Sequence, residues 1–230
     1  MPLDQAEPAA VVLSPRPRSR RWVWGLLAVT SGLLIAAAVA GGIYEFGKRP
    51  LPPSGGCYFV RRVELPVDLF LQGDPKWGQD PLGNSVHNLG QVGCAMTSAA
   101  MVMRFYGIDT DPGRLNNYLR ENGGYDEDND LIWEGPTTLA PDRVRKAYEA
   151  LPSYYLMDSN LLHGNPVIVR LRFPNGITHF VVVMGKEGFD YLIRDPSMNG
   201  LRKGVYPLRE IGSNIEALRF YEQLTPTKGQ

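Results

Sequence analysis

Three residues of this chain have side chains suited to nucleophilic catalysis without a metal: Cys94, His179 and Asp195. Cys94 stands in Gln91-Val-Gly-Cys-Ala-Met-Thr-Ser98, at the point where an apolar helix is expected to begin. A helix amino terminus carries partial positive charge and unpaired N–H groups, and both favour the thiolate form of a cysteine. Gly93 is expected to leave room for another group beside the sulfur. A buried, inert cysteine fits the same local sequence equally well. His179 falls in an apolar strand-like run, where a lone histidine is more often a satisfied core residue. Asp195 follows 16 residues later in Ile193-Arg-Asp-Pro196, where a turn-forming aspartate before proline is the plainer reading. Taken together the pair reads differently. A turn over Lys186–Gly188 would fold one strand back on the other and bring Asp195 to His179, the relation of orienter to base.

The elements that must position these residues can be read from periodicity and punctuation. A helix is expected from Cys94 to Tyr106, apolar nearly all round and therefore buried, with Gly107 as a left-handed cap. Asp111-Pro112 opens a second helix running to about Glu121, and a third is expected from Ala140 or Pro141 to Leu151. Strands are expected over 166–173, 178–184 and 189–194, with a last one over Ala217–Tyr221. Asn175-Gly176 is the turn signal between the first two. Helices followed by an antiparallel meander make an α+β domain.

Three segments, taken in order, resemble the bacteriocin-processing (double-glycine leader) peptidase-like domain of the papain-like cysteine peptidase superfamily. They are Gln72-Gly-Asp-Pro-Lys-Trp77, then Gly93-Cys-Ala-Met-Thr-Ser-Ala-Ala-Met-Val-Met-Arg-Phe-Tyr-Gly107. The third is Gly164-Asn-Pro-Val-Ile-Val169, continued by His179-Phe-Val-Val-Val-Met-Gly185 and Tyr191-Leu-Ile-Arg-Asp-Pro196. The resemblance runs from about Val63 to Tyr221. It implies a papain-like fold, with the nucleophile at a buried helix start packed on an antiparallel sheet. It also implies Cys94 as nucleophile, His179 as general base, Asp195 as orienter and Gln72 as oxyanion donor beside the Cys94 N–H. Asn88 and Gln91 compete with Gln72 for that last role. No metal or organic cofactor is implied, and the partner is a peptide or protein substrate.

Residues Trp22 to Tyr44 hold no charged side chain over 23 residues, which is long enough for a membrane-spanning helix. Arg16, Arg18, Arg20 and Arg21 precede the stretch, so the amino terminus is expected inside and the rest outside the cytoplasm. A cleaved signal peptide is the alternative, and it exports the domain equally. The organisation expected is a disordered tail (1–21), a transmembrane helix (22–44) and a linker (45–57). The peptidase domain (58–224) and a short tail (225–230) follow. Basic and acidic residues balance at 24 each, which argues against a nucleic-acid partner. Cys57, the only other cysteine, is expected to be free or to pair with another chain. Trp77 and Trp133 suit a substrate cleft or, more simply, core packing. The acidic run Asp126–Asp130 reads as a solvated loop rather than a calcium site.

The function expected is that of a membrane-anchored, extracytoplasmic cysteine peptidase. A catalytically silent peptide- or partner-binding domain, or an acyltransferase or amidase on the same residues, are the alternatives.

Overall fold

A computed structural model describes residues 21–47 and 49–224. Of the tails expected at 1–21 and 225–230, residues 1–20 and 225–230 lie outside the described residues, and Arg21 opens a helix. Two compact units divide the chain after Gly47. The first contains helix α1, Arg21–Gly47, 27 residues long, which includes the stretch expected to cross a membrane. Its described side chains, 24–38, are exposed. Among the described residues no helix is long and apolar enough to cross a membrane.

The second unit opens with strand β1 (Ser54–Glu64). The expected linker therefore ends earlier than its Pro/Gly content suggests. Helices α2 (Leu89–Val92), α3 (Cys94–Phe105) and α4 (Pro112–Glu121) follow. Strand β2 (Val144–Ala150), helix α5 (Tyr154–Leu162) and strands β3 (Val167–Arg172) and β4 (Thr178–Arg194) come next. Helix α6 (Met198–Lys203) and strands β5 (Tyr206–Pro207) and β6 (Ile215–Gln223) complete the unit. The strands make one antiparallel sheet in the order β1-β4-β3-β6-β2, with β5 on β4. The α+β class stands, but β1 precedes the helices.

The helices form where their ends are specified. Asp111 accepts the Arg114 N–H at 2.9 Å, and Pro112 occupies the first turn, where its missing N–H costs nothing. Gly107, with φ +75°, terminates the turn after α3. Both faces of the sheet are covered. Val167, Val169 and Leu171 of β3 pack with Met157 and Leu161 of α5. Ile168, between them, packs with α3 and α4 through a cluster including Ala99, Met103, Leu115 and Leu119. A strand buried on both faces reads as a continuous apolar run rather than an alternating one. That accounts for Val181-Val-Val-Met184, all buried. Each such side chain contributes ~1.5–3 kcal/mol on full burial.

The helix expected over 140–151 is a strand. Arg145, Lys146, Ala147 and Glu149 have good helix propensity, but pairing with β6 overrides it. Tyr148 stacks on Phe220 with ring centroids 5.6 Å apart, an aromatic contact across the pair that a helix would forgo.

Strand β4 contains 17 residues, which would span roughly 55 Å if straight. Its two ends meet, because His179 Nε2 lies 2.9 Å from Asp195 Oδ1. The extended run must therefore double back, as expected, with Gly188 at φ +58° in the reversal. Beside that reversal Lys186 is fully buried. Its Nζ donates to Asp158 Oδ1 at 2.5 Å, to the Gly55 carbonyl at 2.7 Å and to Tyr191 Oη at 3.2 Å. Asp158 Oδ2 accepts the Cys57 N–H at 2.6 Å. A Cβ at Gly56 would lie 2.3 Å from that oxygen, so the start of β1 needs glycine there. The network ties β1, α5 and the reversal of β4 together. Lys186→Met leaves the Asp158 carboxylate buried without its cation, and should cost about 3–5 kcal/mol in urea unfolding. Adding Asp158→Leu should restore much of that loss, since the uncompensated charge is then gone.

Candidate active site

Cys94 begins α3 directly after the short helix α2. Asn88 caps α2 in a capping box: its Oδ1 accepts the Gln91 N–H at 3.0 Å, and Gln91 Oε1 accepts the Asn88 N–H at 3.1 Å. Between the two helices stands Gly93. A Cβ there would lie 2.4 Å from the Leu89 carbonyl oxygen and 2.8 Å from its Cδ2. Gly93 is thus required by the tight α2–α3 turn, a demand that the sequence reading did not include. The sulfur-bearing residue is part-buried and its thiol is free.

His179 lies between Cys94 and Asp195. Nε2 is engaged by Asp195, which leaves Nδ1 as the ring nitrogen not held by the carboxylate, and Cys94 lines the same cleft as the ring. Phe173 lies tilted over the ring at 6.2 Å. The side chains are 13 % and 1 % exposed for His179 and Asp195, so the pair is shielded from water. Asp195 Oδ1 also accepts the Ser197 N–H at 2.8 Å, and Oδ2 accepts the Tyr206 hydroxyl. Burial works against the charged imidazole, but the bonds to Asp195 and Cys94 and their charges outweigh it and raise the His179 pKa to about 9. Asp195 shows the complementary pattern: burial raises it, yet the His179 bond and charge, Tyr206 and Ser197 bring it down to about 2.

Gln72 reaches the same place from a distant loop. Its backbone N–H donates to the Pro196 carbonyl at 2.9 Å, and its Nε2 donates to the Gly90 carbonyl at 2.9 Å. One residue thereby joins the Asp195–Pro196 turn to the turn preceding Cys94. Trp77 Nε1 donates to the Leu71 carbonyl at 2.8 Å and steadies that loop. Gln72, Gln91, Cys94 and His179 line one cleft of about 560 Å³. Asn88 does not line it, and its Nδ2 donates to Gln79 Oε1 at 3.1 Å. Neither Trp77 nor Trp133 lines the cleft; both are buried. The loop of the acidic run does, through Asp128, Asn129 and Asp130, while Asp126 spends its carboxylate on the N–H groups of Asp128 and Asp130. Among the described residues no cluster of His, Cys, Asp and Glu is arranged to hold a metal. Tyr206 is the contact that sequence reasoning missed. Nothing in Gly204-Val-Tyr-Pro207 marks a tyrosine that returns to an aspartate 11 residues earlier.

The model of the Peptidase_C39 like family matches residues 66–225, well over half of the chain. No curated protein matches it.

The pKa directions fix the pH dependence of stability. Below the usual histidine value of 6.5 His179 is charged folded and unfolded, and the pair contributes fully. As pH rises from there through about 9 that contribution is lost. Asp195 acts at the other end, its contribution being lost as pH falls from 3.8 through about 2. Urea midpoints of the wild type should decline across the alkaline window, and those of His179→Ala should not share that decline. Parallel curves for the two proteins would count against the coupling.

Proposed function

Because the chain belongs to the Peptidase_C39 like family, we propose that it is a cysteine peptidase acting through Cys94, His179 and Asp195. The observation that carries this reading is the placement of His179. One side of its ring is held by a buried carboxylate, and the ring lines one cleft with Cys94, a thiol at a helix start.

At neutral pH the imidazole holds both protons, given a pKa of about 9. A doubly protonated ring carries a positive charge that favours the thiolate form of a neighbouring cysteine, the form that acts as nucleophile. The thiolate sulfur attacks the peptide carbonyl carbon, forming a C–S bond and pushing an electron pair onto oxygen. That oxyanion is met by the Cys94 N–H and by Gln72 Nε2, whose second hydrogen remains after the bond to Gly90. His179 passes the Nδ1 proton to the departing amine as the C–N bond breaks. It then takes a proton from water, whose oxygen attacks the thioester and returns the thiolate. Throughout, Asp195 holds Nε2 and keeps the ring turned toward sulfur.

Gln91, the competing amide, also lines the cleft, with its Oε1 accepting the Asn88 N–H in the α2 cap and its Nε2 left as a donor. Gln72 is supported better because it contacts the segments of both Cys94 and Asp195. An extended peptide suits the cleft: Phe173, Ile177 and Phe180 give it apolar walls, while Asp128 and Asp130 favour a basic side chain. For the uncharged stretch 22–44, which is longer than the part of α1 whose side chains are described (24–38), the reading is a membrane anchor placing the peptidase outside the cytoplasm. The uncharged stretch 22–44 and the arginines before it support this. Alkaline carbonate extraction tests it, since an anchored chain stays with the membrane.

Wild-type Cys94 should react with iodoacetamide at pH 7 faster than free cysteine does, and Cys94→Ala should abolish both labelling and peptide hydrolysis. Gln72→Ala should lower kcat by roughly 10²–10³-fold while leaving Cys94 labelling largely intact. A thiol no faster than free cysteine would sink the activated-nucleophile reading. A Cys94→Ala chain that keeps its cellular role would favour a peptide-binding domain instead.

A further inference from the structure

We infer that Tyr206 is a positioning residue of the site: its hydroxyl secures the second carboxylate oxygen of Asp195, and through Asp195 the imidazole of His179. The inference rests on the peptidase reading above for its meaning, but on the Asp195 environment for its evidence.

Asp195 is 1 % exposed, so neither oxygen can rely on water. Oδ1 takes His179 Nε2 and the Ser197 N–H. Oδ2 takes the Tyr206 hydroxyl. Without it Oδ2 would be a buried anionic oxygen with no donor, which favours protonation of the carboxyl.

The chain between the two residues is shaped to deliver that hydroxyl. After Pro196, Ser197 caps α6 by accepting the Asn199 N–H at 3.2 Å. Gly200 then passes so close to Asp195 that a Cβ would lie 1.7 Å from its carbonyl oxygen. Gly204, with φ +69°, turns the chain, and β5 rejoins β4 with Tyr206 opposite Ile193. Tyr206 is 5 % exposed, and Lys203 Nζ lies over its ring at 4.8 Å. Burial, and then the bond to Asp195, hold the phenol well above its usual range, so it stays a donor. Asp195 moves the opposite way, and the two groups keep fixed roles as donor and acceptor.

A purely structural tyrosine would fill the space under β5 with its ring alone. Tyr206→Phe keeps the ring and removes the oxygen. In the full chain, proton NMR should show a downfield imidazole N–H resonance from the His179–Asp195 bond, absent in His179→Ala. In Tyr206→Phe that proton should exchange with solvent at least about tenfold faster, and the acid limb of Cys94 alkylation should move up by about one pH unit. Unchanged exchange and an unchanged pH profile, in a variant that folds, would overturn the inference even if the protein lost stability. Slow alkylation of the wild-type thiol would instead overturn the peptidase reading, and the exchange measurement would still decide the role of Tyr206.

Discussion

The hydrogen bond between His179 and Asp195 sets the requirement that much of the peptidase-like unit meets. Its two residues flank an extended run that would hold them roughly 50 Å apart if it were straight. The run has to reverse, and a reversal at the centre of a sheet leaves backbone groups to satisfy. Strand β1 supplies part of the answer by pairing across the bend, with Val63 opposite Lys186 and Glu64 opposite Gly185. A Cβ at Gly185 would lie 2.4 Å from the Val63 carbonyl oxygen, so this approach depends on glycine. The opening segment of the domain is therefore structural to the site, although it contributes no residue to the cleft.

The cysteine is brought to that pair by a different device. Helix α3 packs on β4, and its buried residues Met96 and Ala99–Met103 fix its axis over the sheet. What fixes its start is the break at Gly93 and the capping box one turn earlier. Gln72 then links the two halves by bonding once to Pro196 and once to Gly90. Displacing either segment would disturb the other. The bond also sets the orientation of the Gln72 amide, because a carbonyl partner accepts from nitrogen and not from oxygen.

How much of this was legible depended on whether local sequence or distant pairing made the decision. Cys94–Phe105 and Pro112–Glu121 were readable because their boundaries carry Gly93, Gly107, Asp111 and Pro112. The apolar runs Val167–Val169 in β3 and Val181–Met184 in β4 were readable because burial on two faces leaves no polar position within them. Val144–Ala150 was misread as helix, since its propensities favour helix and its strand character comes from β6, some 70 residues on. Ser54–Gly56 looked like linker because the glycines that admit Asp158 are also what loops contain. Cys94, His179 and Asp195 could be proposed from type and order, and Gln72 from the family resemblance, because their motifs are local. Tyr206 could not, because its role is created by a chain excursion that leaves no periodic mark.

Two buried aspartates show what separates a structural ion pair from a site. Asp158 takes a cation, a tyrosine hydroxyl and a backbone N–H, from Lys186, Tyr191 and Cys57. Asp195 takes the same three kinds of donor, from His179, Tyr206 and Ser197. In both, every strong acceptor oxygen is met, as a carboxylate sealed from water requires. The difference lies in the cation. Lys186 is fully buried and bonds with all its reach inside the network, so it can only hold β1, α5 and the bend together. His179 can lose its proton, presents a second nitrogen beyond the carboxylate, and lines a cleft beside a thiol. Exchanging a saturated ammonium for a two-sided, titratable ring converts the same carboxylate solution from a staple into a device that can pass a proton.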